Sequence, residues 1–320
     1  MAGFIKKYYP NCTIIFLGRT YTKPIIELSE HVDEFINYDD LEPLPQKEKI
    51  SRFKNINADT IIHVFPKKEV ARLAKQAKIP LRVGTTNRVF HWLTCNHLIK
   101  LSRKNSNLHE AQLNLNLLRF LNCNTTVALN DICNYYGFSN IPILDSEFLA
   151  LVDNTKFNLI LHPKSRGSAP EWGIDNFEKL IALLPKDKFK IFITGTEQEA
   201  KLMSDFLKNK AIVDLTGKLS LQQLIAFINA ADGLIAASTG PLHIAAALNR
   251  KAIGLFVPKR PMYPKRWMPL GKNSLALVFD ENCIACKNEK KCNCIRKINP
   301  KRIADLLEQT NKLAPKSPIL

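Results

Sequence analysis

The chain has 320 residues, 46% of them hydrophobic, and a formal charge of +17. That hydrophobic share excludes a disordered chain, and the length suits two domains of ordinary size. The charge suits an anionic partner (nucleic acid, an anionic membrane face or a phosphorylated substrate) and equally a solvated lysine-rich surface.

No run of about 18 apolar residues occurs. The start, MAGFIKKYYP, has neither an apolar core of leader length nor a small-residue cleavage site, so a cytoplasmic chain is expected. In the first half, short β-branched runs at 12–18, 32–38, 59–66 and 81–86 alternate with segments of helical spacing. The longest of these, 109–122, carries leucines at i, i+3 and i+4 intervals. In the second half, strands are predicted at 157–163, 189–195, 211–217, 232–238 and 251–258. Helices are predicted between them at 174–185, 197–209, 220–231 and 241–249, and Asn299-Pro300 opens a terminal helix. Alternation of this kind predicts an α/β protein with parallel sheets. The seam falls near 146–156, giving domains 1–150 and 151–298, then a terminal helix and tail, 299–320.

Ligands of such folds bind beyond the carboxyl ends of the strands, so the loops there carry the chemistry. The loop 162–173, HPKSRGSAPEWG, offers Lys164, Ser165, Arg166, Gly167 and Ser168, which suit a diphosphate. An ordinary polar loop, with Trp172 packed beneath it, is the plainer reading. In TGTEQEA, Thr196 and Glu199 fit a capping box that explains them without a ligand. The alternative has the Glu199 carboxylate bind ribose hydroxyls. At 238–243, Ser238, Thr239, Gly240 and Pro241 lead into a helix with His243 in its first turn. Pro241 suits that helix start, and the N–H groups there can hold an anion. His243 can add a hydrogen bond or, protonated, a charge. Neither a dinucleotide fingerprint nor a P-loop occurs. Lys259, Arg260, Lys265 and Arg266 make a stiff basic loop after the last predicted strand, suited to phosphate or acceptor contacts, or to solvent.

Of eight cysteines, Cys12, Cys95, Cys123 and Cys133 are scattered and read as small buried hydrophobes. Cys283, Cys286, Cys292 and Cys294 form a C-x2-C-x5-C-x-C run, which in a cytoplasmic chain suggests a metal before disulfides. The spacing is not that of a standard zinc ribbon, and reduced thiols pinning a loop are the other reading. A nucleic-acid partner is not expected, because the basic residues are dispersed and no aromatic-studded platform is visible.

STGPLHIAAAL, preceded in order by LHPKS, TGTEQE and DLTGKLSLQQL, resembles the bacterial heptosyltransferases, glycosyltransferase family nine; HVDEFINYDD is similar to their N-terminal domain. The resemblance spans nearly the whole chain. It implies a GT-B fold, two Rossmann-like parallel-sheet domains facing a cleft, with the donor on the C-terminal domain and the acceptor on the N-terminal one. It implies transfer of heptose from ADP-heptose to the lipopolysaccharide core with inversion and without a metal cofactor. Lipid A–Kdo at the anionic inner-membrane surface would be the acceptor side, and the protein peripheral there. By position, Thr239, Gly240 and His243 match the donor-binding turn, Ser165 a hydroxyl of the phosphate loop, and Glu199 the acidic residue near the ribose. Two positions depart. Ser238 stands where the family usually has aspartate, and the usual loop lysine is matched only loosely, by Lys164 or Arg166. By the resemblance Met1 is expected to fall within the family's first helix, so that the first strand and its GD turn, bearing the expected catalytic base, either lie upstream of Met1 or are lost from a truncated copy. The catalytic residue is therefore unassigned, and the run 12–18 is expected to lack a neighbour in its sheet. A donor-binding but inactive truncated homologue is the alternative.

Overall fold

The computed structural model describes residues 1–103, 106–288 and 292–311. The chain divides into two units, Met1–Gly137 and Phe138–Leu320.

In the first unit, β1 (Ile15–Gly18) and β2 (Glu34–Asn37) form a parallel pair. β3 (Thr60–Ile62), β4 (Leu81–Thr85) and β5 (His97–Ile99) form a separate parallel ladder. Among the described residues β1 pairs only with β2 and β3 only with β4, so β1 has a strand neighbour on one side. One apolar layer nonetheless runs beneath both ladders. Leu17 of β1, Ile36 of β2 and Ile61 of β3 pack on a cluster that includes Phe53 and Leu73. The helices Gln46–Asn55 and Lys68–Gln76 supply those two residues. The leucine-rich segment 109–122 is helical only over Glu110–Leu115, capped by His109 and Gln112, and then tightens into a 3-10 turn, Asn116–Leu118.

The second unit has six strands, β6 (Phe157–His162), β7 (Phe189–Ile193), β8 (Ile212–Asp214), β9 (Gly233–Ala237), β10 (Lys251–Leu255) and β11 (Ser274–Leu277). They pair in parallel in the order β11-β10-β9-β6-β7-β8. Every residue of β6 and of β9 is buried, as expected of central strands covered on both faces. The predicted helix 197–209 is broken into Glu197–Lys201 and Ser204–Leu207, and the break lets both Met203 and Phe206 reach the core. The last described helix, Pro300–Asn311, buries Ile303, Ala304 and Leu307 in the same core.

Candidate functional site

The strand order places the site. From β6 the chain runs outward through β7 to β8, then crosses back to β9 and runs the other way through β10 to β11. The order reverses between β6 and β9, where His162 stands opposite Ala236. Open α/β sheets bind ligands outside the carboxyl ends of their strands at such a switch point. The loops leaving β6 and β9 are the segments 163–173 and 238–240 singled out by sequence.

The loop after β6 is built around one carboxylate. Glu171 takes an ion pair from Lys164 at 2.6 Å and a hydrogen bond from the Ser165 backbone N–H at 3.1 Å. The Ser165 hydroxyl is buried and donates to the Ala169 carbonyl at 2.7 Å; that of Ser168 donates to the Ser165 carbonyl at 2.7 Å. Arg166 and Gly167 both have positive φ, 50° and 76°, which turns the exposed loop tip. Trp172 is buried beneath, its indole N–H donating to the Ile298 carbonyl at 3.0 Å. Gly173 comes next at φ 101°, a conformation that a side chain would strain, and starts the helix Ile174–Leu183.

The capping box after β7 is formed. The Thr196 backbone N–H donates to Glu199 Oε2 at 2.7 Å, and the Glu199 N–H to the Thr196 hydroxyl at 3.3 Å. Glu199 is buried, and the cap uses one of its two oxygens. Lys164, Arg166, Glu171, Thr196, Gln198 and Glu199 line one cavity of about 620 Å³. At the end of β6, buried His162 shares a hydrogen bond with the Thr194 hydroxyl at 2.9 Å. Burial holds the His162 pKa below its ordinary value, against the nearby Glu199 carboxylate. Sequence reading missed His162 and Glu171. A histidine inside a strand and a carboxylate seven residues beyond its lysine carry no periodic signal.

After β9 the helix Gly240–Ala247 begins, with Thr239 at its cap position. Gly254 of β10 lets it lie close, since a Cβ there would stand 2.8 Å from the Leu242 side chain. Thr239 is buried, its hydroxyl caps nothing, and that oxygen has no hydrogen-bond partner. Gly240 is exposed with open space where a side chain would sit; Ser238, Pro241 and His243 are half-buried around it. A buried donor without an acceptor costs about 1–3 kcal/mol. Here it stands at a helix N-terminus, where an anion oxygen can accept from it.

The loop after β10 carries the four predicted cations. Arg260 lies over the Tyr263 ring at 4.7 Å and Arg266 over Trp267 at 5.4 Å; Lys259 is half-buried and Lys265 exposed. The loops that carry these residues and cations thus leave the carboxyl ends of four neighbouring strands, β10, β9, β6 and β7. Cys283, Cys286, Cys292 and Cys294 lie beyond β11, with their sulfurs together.

Residues 51–295 match the family model for glycosyltransferase family 9 (heptosyltransferase). The chain belongs to that family. This transferase is 27% identical over 302 residues to a putative glycosyltransferase of Haemophilus influenzae, across 87% of this chain and 83% of the other. It is 26% identical to lipooligosaccharide heptosyltransferase 2 of Campylobacter jejuni over 176 residues, 51% of this chain and 54% of that one. Its fold is that of the solved ADP-heptose lipopolysaccharide heptosyltransferase II of Escherichia coli, with a TM-score of 0.73 at 16% identity, over 97% of this chain and 93% of that one. The family-9 transferase therefore has the GT-B type of fold, with two parallel-sheet units. No helix among its described residues is long and apolar enough to cross a membrane.

Proposed function

We infer that this glycosyltransferase moves a heptose from ADP-heptose to a lipopolysaccharide-core acceptor, with inversion at the anomeric carbon. The observation that carries the donor site is the buried, unpartnered Thr239 hydroxyl at the N-terminus of the helix after β9, beside the switch point. The names of the E. coli and C. jejuni relatives supply the donor and acceptor class.

The diphosphate lies across the carboxyl ends of β6 and β9. Thr239, the first N–H groups of the helix and His243 hold it from one side, with Ser238 beside them. Lys164 and Arg166 hold it from the other, and binding draws Lys164 from Glu171 toward the phosphate; the Ser165 and Ser168 hydroxyls, expected at the phosphate, instead donate to carbonyls of their own loop and brace it. The second oxygen of Glu199 faces the ribose. The acceptor oxygen attacks the anomeric carbon, the bond from that carbon to the phosphate oxygen breaks, and the acceptor proton passes to a base. ADP leaves with the extra negative charge, which the cations and the helix terminus stabilise. Lys259, Arg260, Lys265 and Arg266 meet the phosphorylated acceptor, and the basic surface holds the protein at the cytoplasmic face of an anionic membrane. No cofactor takes part in the transfer, and the four clustered thiols lie outside its chemistry. Calorimetric titration with ADP tests the donor site: micromolar binding is expected, and binding lost with Thr239→Val and His243→Ala together supports it. Equal affinity in the wild type and that double variant would overturn it.

A further inference from the structure

The sulfurs of Cys283, Cys286, Cys292 and Cys294 all lie within 4.8 Å of one another. Cys283 and Cys292 are 3.7 Å apart, and Cys286 and Cys294 3.3 Å. None of the four is in a disulfide, whose sulfurs would stand about 2.05 Å apart. A tetrahedral zinc ion with bonds of about 2.3 Å sets its four sulfurs about 3.8 Å apart. A two- or four-iron cluster needs some of them wider, because its four cysteine sulfurs are divided among separate irons; a single iron ion on four thiolates would fit the same spacing, and the elemental analysis below separates it from zinc. Two ligands come from the start of the helix Ile284–Asn288, with Cys283 just before it and Cys286 within it. The other two flank the start of the 3-10 turn Cys294–Lys297. The Cys294 backbone N–H donates to the Cys292 sulfur at 3.4 Å, as a ligating thiolate requires of its surroundings. Lys287, Arg296 and Lys297 flank the thiols in sequence.

The segment just after the thiols reaches the donor loop. Ile295 and Ile298 are buried in the core with Trp172 and Phe177. The Ile298 carbonyl accepts from the Trp172 indole at 3.0 Å, and the Arg296 carbonyl from the Asn176 side chain at 2.8 Å. The Arg296 guanidinium pairs with Asp175 at 2.7 Å. Asn176 also donates to the Trp172 carbonyl at 2.9 Å. Residues 294–298 are thus a strap across Trp172 and Gly173, where the loop 163–173 ends.

We propose that the four cysteines bind one zinc ion, and that this ion fixes the strap holding the end of the phosphate loop. Binding exchanges the thiol protons for Zn²⁺, releasing them to solvent with no change of oxidation state. That the loop serves a donor rests on the function inferred above; the metal does not, and its assay reads no transfer.

The test uses the intact protein purified under reducing conditions. Elemental analysis is expected to find one zinc per chain, and cobalt exchanged for zinc to show the charge-transfer and visible bands of a tetrahedral four-sulfur site. Cys286→Ser with Cys294→Ser is expected to lose the zinc. Chelation of the wild-type protein is expected to speed hydrogen exchange at 172–177 by about tenfold or more, while β6 and β7 keep their protection. Should the double variant not fold, the cobalt spectrum and chelation of the wild type carry the test alone. Four freely titrating thiols without metal, disulfides, or iron in any form would overturn the zinc site. Zinc retained by a folded double variant would overturn the ligands. Unchanged exchange at 172–177 after complete zinc removal would overturn the strap.

Discussion

Thr239 sits at a helix cap position without acting as a cap, and this separates its two effects. Thr239→Val removes a hydroxyl whose burial is uncompensated in the free protein. Stability to urea is therefore expected to stay level or rise by about 1 kcal/mol, while ADP affinity falls about tenfold. A loss of stability with unchanged ADP affinity would show that the hydroxyl serves the fold. Glu199 separates in the same way. Glutamine also completes a capping box, so Glu199→Gln is expected to keep stability within about 0.5 kcal/mol, and Glu199→Ala to lose about 1 kcal/mol. The ribose contact proposed for its second oxygen predicts that both variants weaken ADP severalfold in calorimetry; unaltered binding in both would leave Glu199 a cap and nothing more. The box was legible because its two members stand three residues apart on one helical turn. The pairing of Lys164 with Glu171 was not, because a loop without periodicity decides which of its charges meet. Nor could sequence tell that the Thr239 oxygen is buried without a partner, since a residue's type and spacing do not give the burial of one atom.

At the scale of elements, β6, β7, β9 and β10 were legible as apolar runs bounded by turn residues. β5 and β11 were not, being only His97–Ile99 and Ser274–Leu277. Period alone cannot end the helix at Leu115 or break the one at Leu202 and Met203; the pull of the core on particular side chains does both. The end of β3 and the helix Val89–Thr94 meet through two buried imidazoles, His63 and His91, stacked 5.3 Å apart. Burial, then the neighbouring His91 and Arg82, push the His63 pKa down to about 4. The unfolded chain therefore binds a proton between about pH 6.5 and 4 that the folded one does not. This contribution is fully present above pH 6.5 and is lost as pH falls toward 4, by about 3 kcal/mol in all. Urea midpoints for the first unit are expected to fall from pH 7 to pH 4.5, and His63→Leu to flatten that slope. An equally steep slope in the variant would place the titration elsewhere.

For the whole molecule, sequence motifs and family resemblance identified the transferase and the class of its fold. The three-dimensional arrangement added the switch point, the cavity between the loops after β6 and β7, and the meeting of four thiols whose spacing alone left their role open. The +17 charge bears on where the protein works. Sedimentation with vesicles containing anionic lipid is expected to capture it at low salt and to release it as the Debye length shrinks from about 10 Å at 0.1 M toward 3 Å at 1 M. Neutral vesicles that bind equally well would argue against an electrostatic attachment.

Sugar transfer itself is the most direct measurement of the proposed function. The protein incubated with ADP-heptose and a lipopolysaccharide-core acceptor, followed by ADP release and by the mass of the acceptor, is predicted to release one ADP for each heptose added. Wild-type protein that binds ADP yet leaves the acceptor mass unchanged, with ADP release no faster than in buffer, would contradict it.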